Sequence, residues 1–254
     1  MKNFRPQHRP KKSSLAVGKR AIIEALQAGK GLDRIYLQSN GFRDLLEDMR
    51  KVASQHGVPV NYVPVEKLNG FNAGEHGGCI AVLSKVQYQD LQEVISWVVD
   101  KGQTPLFLIL DGITDVRNIG GIARTAFSTG VHAIIIPEKG VGALNEDAVL
   151  TSAGALEQIP ICRVNSLMKA VDDLHMNGIQ VLATEMTAQK TTFETDFTIP
   201  VAIVMGSEDK GIYPALLKIC DEQVRIPMAG EFESLNVSVA TGMILYEVMK
   251  QRMS

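Results

Sequence analysis

Cysteine is scarce and scattered in this chain. Cys79, Cys162 and Cys220 stand far apart, and none belongs to a CxxC or a Cys/His cluster. That argues against a disulfide framework and a zinc site, so no metal is expected, and it makes a reducing cytoplasm the expected compartment. No apolar run reaches the roughly 18 residues that span a bilayer, so no membrane association is expected. The first residues are polar and basic, unlike a secretory signal. Two nucleotide-binding signatures are missing as well. No GxGxxG joins a strand to a helix, since NIGGIARTAFSTG has the wrong spacing, and GxxxxGK[ST] is absent. An NAD enzyme and a P-loop NTPase are both disfavoured. What remains is ordinary for a globular protein: 45% hydrophobic and 21% charged residues in a chain of 254, enough for one large domain or two small ones.

Charge is unevenly placed. The net charge is −2, yet residues 1–12, MKNFRPQHRPKK, hold Lys2, Arg5, Arg9, Lys11 and Lys12 and no acid. Without those five, 21 basic residues face 28 acidic ones. Residues 1–14 read as a basic flexible arm. It is either a solubilising tail or a phosphate-seeking arm for nucleic acid.

The periodicities divide the rest. GKRAIIEALQAG (18–29) and GFRDLLEDMRKVASQHG (41–57) read as helices. DRIYLQ (33–38), VPVNYV (58–63) and CIAVLSKV (79–86) read as strands, giving a small α/β module over 15–88. The amphipathic segment 89–104 reads as a linker helix. From residue 105 a second α/β series begins, with the wholly apolar strands LFLILD (106–111), HAIIIP (132–137), IQVLAT (179–184) and VAIVMG (201–206). Such runs belong to a parallel sheet covered on both faces. Helices fit over 119–129, 145–155 and 165–177. Ligands in open α/β sheets bind beyond the C-terminal strand ends. Those ends run into DGITDVRNIGGIARTAFSTG, GSEDKG and, after VRIP, into MAGEFESLNVSVATG.

The last of these is ambiguous. In SLNVSVATG (234–242), Leu235, Val237 and Val239 alternate with Asn236 and Ser238, a strand pattern, yet the chain continues without a turn into the helix former MILYEVMKQR. Taken singly, the polar residues here have plain readings. Glu208 is a solvated turn residue, Arg124 a surface ion pair, and Asn118 and Ser234 are helix caps. Taken together they are harder to dismiss, because all project from one sheet edge.

These stretches resemble the three motifs of the SpoU (TrmH) family of RNA ribose 2′-O-methyltransferases: NIGGIARTAFSTG with Asn118 and Arg124, VMGSEDKG with Glu208, and IPMAGEFESLNVSVATG with Ser234 and Asn236. The match covers roughly 106–252. VGKRAIIEALQAG and the loop EHGGCIAV are similar to the family's N-terminal substrate-binding domain. The IPMAG…SLNVSVA wording is most similar to RlmB-type members, which methylate a guanosine ribose of 23S ribosomal RNA. One departure is Asp209, where many members carry glycine.

The resemblance implies a C-terminal trefoil-knotted parallel-sheet domain over 105–254, a feature that spacing never predicts. It implies that SLNVSVATG opens the last helix, with Val237, Ala240, Thr241, Ile244 and Val248 on one face. The implied reaction moves a methyl group from S-adenosylmethionine to a ribose 2′-hydroxyl. The implied cofactor contacts are backbone groups at Gly206, Ile226 and Leu235. The implied catalytic set is Asn118, Arg124, Glu208, Ser234 and Asn236. Arg124 holds an RNA phosphate and lowers the hydroxyl's pKa, because a guanidinium with a pKa above about 12 is a poor base. The resemblance leaves open whether it also takes the proton. Glu208 orients Arg124 or the ribose. A homodimer through the knotted domain is implied too. Two alternatives stand beside this: the same chemistry on transfer RNA or another ribosomal nucleotide, and a non-catalytic RNA-binding protein of the same fold. The intact five-residue set speaks against the second.

Overall fold

The structure is a computed structural model, and it describes residues 14–142, 144, 146–230 and 234–254. The basic arm expected over 1–14 lies outside the described residues except for Ser14. The chain divides into two compact units, with the boundary between Ser84 and Lys85.

The first unit runs β1 (Leu15–Val17), α1 (Gly18–Gln27), β2 (Leu32–Gln38), α2 (Arg43–Gln55), β3 (Val60–Val63), α3 (Val65–Asn69) and β4 (Cys79–Leu83). Its sheet has the order β1-β4-β2-β3. Strand β4 is antiparallel to both β1 and β2, while β3 is parallel to β2. The apolar faces of α1 and α2 cover this sheet with Ile22, Ala25, Met49 and Ala53 over Leu32, Ile35 and Leu37. The glycine-rich stretch before β4 is held by His76. Its Nε2 meets Asn69 Oδ1 at 3.0 Å, while the Gly78 backbone N–H donates to its Nδ1 at 3.1 Å.

The second unit runs α4 (Leu91–Asp100), β5 (Leu106–Leu110), α5 (Val116–Ser128), β6 (Ala133–Pro137), α6 (Glu146–Thr151), β7 (Ile161–Val164), α7 (Leu167–Met176), β8 (Gln180–Thr184), β9 (Lys190–Thr191), β10 (Val201–Met205), α8 (Pro214–Leu217), β11 (Glu222–Arg225) and α9 (Val237–Met253). Among the described residues, its strands pair in the order β7-β6-β5-β10-β8-β11-β9, every pair parallel. Alternate residues of β5 feed two apolar layers. Leu106, Leu108 and Leu110 pack with Ile122, Ala126, Ile244 and Val248 of α5 and α9. Phe107 and Ile109 pack with Val94, Ile95 and Val98 of α4 and with Val171 and Leu174 of α7. The segment 89–104, expected as a linker helix, is therefore part of this unit's core. Its apolar stripe of Leu91, Val94, Ile95 and Val98 is buried in this layer against the sheet.

Helix α9 settles the ambiguous stretch. Asn236 is its N-cap, accepting from the Ser238 N–H. Val237, Thr241, Ile244, Leu245 and Val248 are buried while Val239 is exposed, so the apolar period is helical. Its far end is pinned by Arg252, whose guanidinium donates to the backbone carbonyls of Thr104, Pro105, Phe197 and Ile199 at 2.8–3.0 Å. At about 1.5 Å per residue this fixes the axis of a helix about 26 Å long, with its N-terminus at the C-terminal edge of the sheet.

Two glycines let α5 approach its neighbours. A Cβ on Gly121 would stand 3.4 Å from Ser238 Cβ of α9. At Gly120 a Cβ would fall 2.6 Å from Thr151 Cβ and 2.8 Å from the Ala148 carbonyl oxygen, which only a helix shift relieves. Gly120→Val is expected to destabilise the protein by about 1–3 kcal/mol in denaturant unfolding, through overpacking of α5 against α6. A midpoint equal to that of the unaltered chain would contradict the close packing.

Candidate active site

Four strand ends of the second unit open onto one edge. After β10 the chain makes a tight loop. The Ser207 N–H donates to the Gly211 carbonyl at 3.2 Å, and the Gly211 N–H returns to Ser207 O at 2.9 Å. Gly206 lies so close beneath that a Cβ there would meet the Gly211 carbonyl carbon at 2.4 Å and the Ile212 nitrogen at 2.5 Å. Gly206 is thus required by its own loop before any ligand is considered. The positive φ of this loop falls on Gly211, at 65°, and Asp209 is not among the positive-φ residues. The glycine that many family members carry at 209 is therefore not needed here for its backbone conformation.

This loop presents Glu208 to two helix starts. Glu208 Oε1 accepts from Asn236 Nδ2 at 2.7 Å, from Asn118 Nδ2 at 3.1 Å and from the Val237 backbone N–H at 3.3 Å. Asn236 Nδ2 also donates to Asn118 Oδ1 at 3.1 Å. A carboxylate at the N-terminus of α9 is favoured by the helix dipole and by the free N–H groups there. Asn118, Glu208 and Asn236 come from loops or helices separated by up to 118 residues, and they meet in one hydrogen-bonded cluster.

Below the cluster is a cavity of about 570 Å³. Gly206, Glu208, Ile226, Ser234 and Leu235 all line it, with Val237, Ala240 and Ile244 forming an apolar wall. Thr184, Glu185 and Met186 line it as well. Thr184 ends β8 and the other two follow it, at a strand end that carries no glycine and that the sequence motifs do not mark.

Some expected roles change. Asp115, not Asn118, caps α5, its carboxylate accepting from the Arg117 N–H at 2.9 Å. Asn118 is one turn inside that helix, where its side chain is free to reach Glu208. Ser234 does not cap α9, because Asn236 does. Arg124 is exposed on α5 and does not line the cavity. Its guanidinium makes no hydrogen bond or ion pair among the described residues. The plain reading of Arg124 as a surface ion pair therefore has no partner, and Glu208 does not orient it: Glu208 is held by the two asparagines instead.

Comparison with known proteins closes the question of family. The profile of the SpoU rRNA Methylase family matches residues 105–246, and that of RNA 2′-O ribose methyltransferase substrate binding matches residues 15–89. The chain belongs to the SpoU (TrmH) family of RNA ribose methyltransferases. Among relatives in this family, the putative TrmH family tRNA/rRNA methyltransferase YacO of Bacillus subtilis is 34% identical over 236 residues, covering 93% of this chain and 95% of its own. A Staphylococcus aureus protein described in the same terms is 33% identical over 239 residues, covering 94% and 96%. Two solved SpoU structures align with the chain. AviRb from Streptomyces viridochromogenes, in complex with the cofactor AdoMet, has a TM-score of 0.60 at 26% identity, covering 94% of this chain and 90% of that one. The A. aeolicus TrmH/SpoU tRNA modifying enzyme has a TM-score of 0.54 at 31% identity, covering 64% and 82%.

The cluster makes a testable demand on the SpoU fold. Asn236→Asp keeps an acceptor for the Ser238 N–H but replaces the donor facing Glu208 with a second carboxylate. The expected loss is about 0.5–1 kcal/mol at low salt, modest because the groups are exposed, and it shrinks in high salt. Glu208→Gln in the same chain should restore thermal stability. Additive losses in the double variant would contradict the contact.

Proposed function

We propose that this chain transfers the methyl group of S-adenosylmethionine to the ribose 2′-hydroxyl of a guanosine in 23S ribosomal RNA, in the cytoplasm. The observation that carries the reading is the Asn118–Glu208–Asn236 cluster set at the rim of a ligand-sized cavity lined by Gly206, Ile226 and Leu235. A volume near 570 Å³ suits a nucleoside-bearing cofactor, and its mixture of apolar wall and backbone groups is typical of such sites. The backbones at Gly206, Ile226 and Leu235 would hold the cofactor. When bound, it supplies a methyl group already activated on a sulfonium.

The chain's own residues then deal with the nucleophile. Glu208 Oε1 is occupied by the two asparagines, which fix the carboxylate so that Oε2 can accept from a ribose hydroxyl. Ser234 stands at the same rim. Arg124, whose guanidinium pairs with no side chain among the described residues, takes the RNA phosphate and favours ionisation of the hydroxyl beside it. As O2′ takes up the methyl group that the cofactor would supply, the hydroxyl proton would pass to the Glu208 oxygen that accepts from it. Positioning of this kind supplies several kcal/mol of barrier lowering. The first unit grips the RNA. The RlmB-like IPMAG…SLNVSVA wording supports the 23S guanosine, and mapping 2′-O-methyl groups in ribosomal RNA of a deletion strain tests it. Loss of a methyl group from a transfer RNA instead would favour the second reading, which the tRNA/rRNA naming of the curated relatives keeps open.

The same reading includes a trefoil knot in the second unit and a homodimer formed through it. Val239, Met243 and Tyr246 make an exposed apolar stripe on α9 at helical spacing, and Phe127 is exposed on the adjoining α5. A patch of this kind on a helix that is otherwise well buried supports a self-association face. Met243→Asp with Tyr246→Asp should convert the protein to a monomer in light scattering. An unchanged mass would remove this face from the interface.

Arg124→Ala should lower single-turnover methylation of a ribosomal RNA fragment by at least about 100-fold. Cofactor affinity, measured by calorimetry, should stay within about twofold. Arg124→Lys should not restore the rate, because a point charge replaces a planar fork of donors. Near-normal turnover in Arg124→Ala would overturn the assignment.

A further inference from the structure

Glu185 is a carboxylate with no assigned task. It follows β8 directly, and only its backbone is engaged: its N–H donates to Val224 O at 3.0 Å, and its carbonyl accepts from the Ala188 N–H at 3.1 Å. The carboxylate itself makes no hydrogen bond or ion pair among the described residues. It is half-buried and lines the 570 Å³ cavity. Lys210 and Arg225 line the same cavity without pairing to it. A carboxylate withdrawn from bulk water and left without a donor is costly unless a ligand supplies one.

Its position says which donor. Strand β8 lies between β10 and β11, the strands that deliver Gly206 and Ile226. Glu185 Oε2 stands 3.9 Å from the place a Cβ would take on Gly211, beside the loop that packs on Gly206. The transferable methyl must face the Asn118–Glu208–Asn236 cluster, and a base is best received by the apolar wall of Val237, Ala240 and Ile244. The group between these two ends of the ligand is a ribose. Its vicinal hydroxyls offer two O–H donors at a spacing that one carboxylate can accept. We infer that Glu185 binds the ribose diol of the cofactor and selects for a ribonucleoside. The inference rests on the cofactor reading proposed above and adds a residue to it.

The test uses the full chain, calorimetry, and S-adenosylhomocysteine with its 2′-deoxy and 3′-deoxy analogues. Glu185→Ala should bind S-adenosylhomocysteine about tenfold or more weakly than the unaltered chain, the scale of losing hydrogen bonds to a charged group. Glu185→Gln, which keeps one acceptor oxygen, should fall between. Against the deoxy analogues the variant and the unaltered chain should differ much less. The melting temperature should stay near normal, which a merely structural role would not give. An equal loss on the deoxy analogues, or none on the parent compound, overturns the ribose contact. So does a loss that disappears with 5′-methylthioadenosine, because that result assigns Glu185 to the amino-acid ammonium. Failure of the unaltered chain to bind S-adenosylhomocysteine at all overturns the cofactor reading, and this inference with it.

Discussion

A single oxygen atom organises the active edge of this protein. Glu208 Oε1 gathers Asn118 from α5, Asn236 from the cap of α9 and the first N–H of α9 itself. The partners come from two helix starts, those of α5 and α9, and each brings the segment behind it. Without that oxygen, two asparagine amides and a helix N-terminus would have to find water instead, and the three loops would lose their common reference point. Glu208 is in turn placed by the closed 207–211 loop and by the close approach of Gly206 to the backbone beneath. Backbone sterics set the carboxylate, and the carboxylate sets the helices.

This division explains what could be read from the sequence. The strands β5, β6 and β10 are legible because each is an unbroken apolar run, which only a doubly covered parallel strand tolerates, and β8 because its centre, Val181 to Ala183, is apolar too. Strand β7 is not, because Arg163 interrupts ICRV. Strands β1 and β9 have three and two residues, and α3 has five, too short for a period to appear. In SLNVSVATG the alternation is a coincidence: Leu235 lines the cavity, Val237 is buried and Val239 is exposed. Segment 89–104 was readable as a helix, but whether its stripe faces a sheet or bridges two domains depends on tertiary contacts that periodicity does not encode.

The site divides in the same way. Asn118, Glu208 and Asn236 stand out as polar residues at sheet-edge loops, and their motifs carry the family resemblance. Which of them bond to one another does not follow from either signal. The sequence allows Glu208 to orient Arg124 or the ribose; its carboxylate oxygen meets the asparagines instead, and Arg124 is exposed with no side-chain partner among the described residues. Glu185 leaves no mark in the sequence, because TEMTAQ has no glycine, no motif and no unusual charge. Only the cavity behind it gives that carboxylate a meaning.

Arg252 has a different kind of importance. Its four partners are all main-chain carbonyls, so no substitution at Thr104, Pro105, Phe197 or Ile199 removes an acceptor from it. The dependence runs one way. As acceptors the partners are interchangeable, whereas a single codon fixes the tilt of the helix whose other end carries Asn236. A random-mutagenesis survey of this domain would therefore find tolerance at the exposed acceptors Thr104 and Ile199 and intolerance at Arg252, far from the chemistry, two residues before the last.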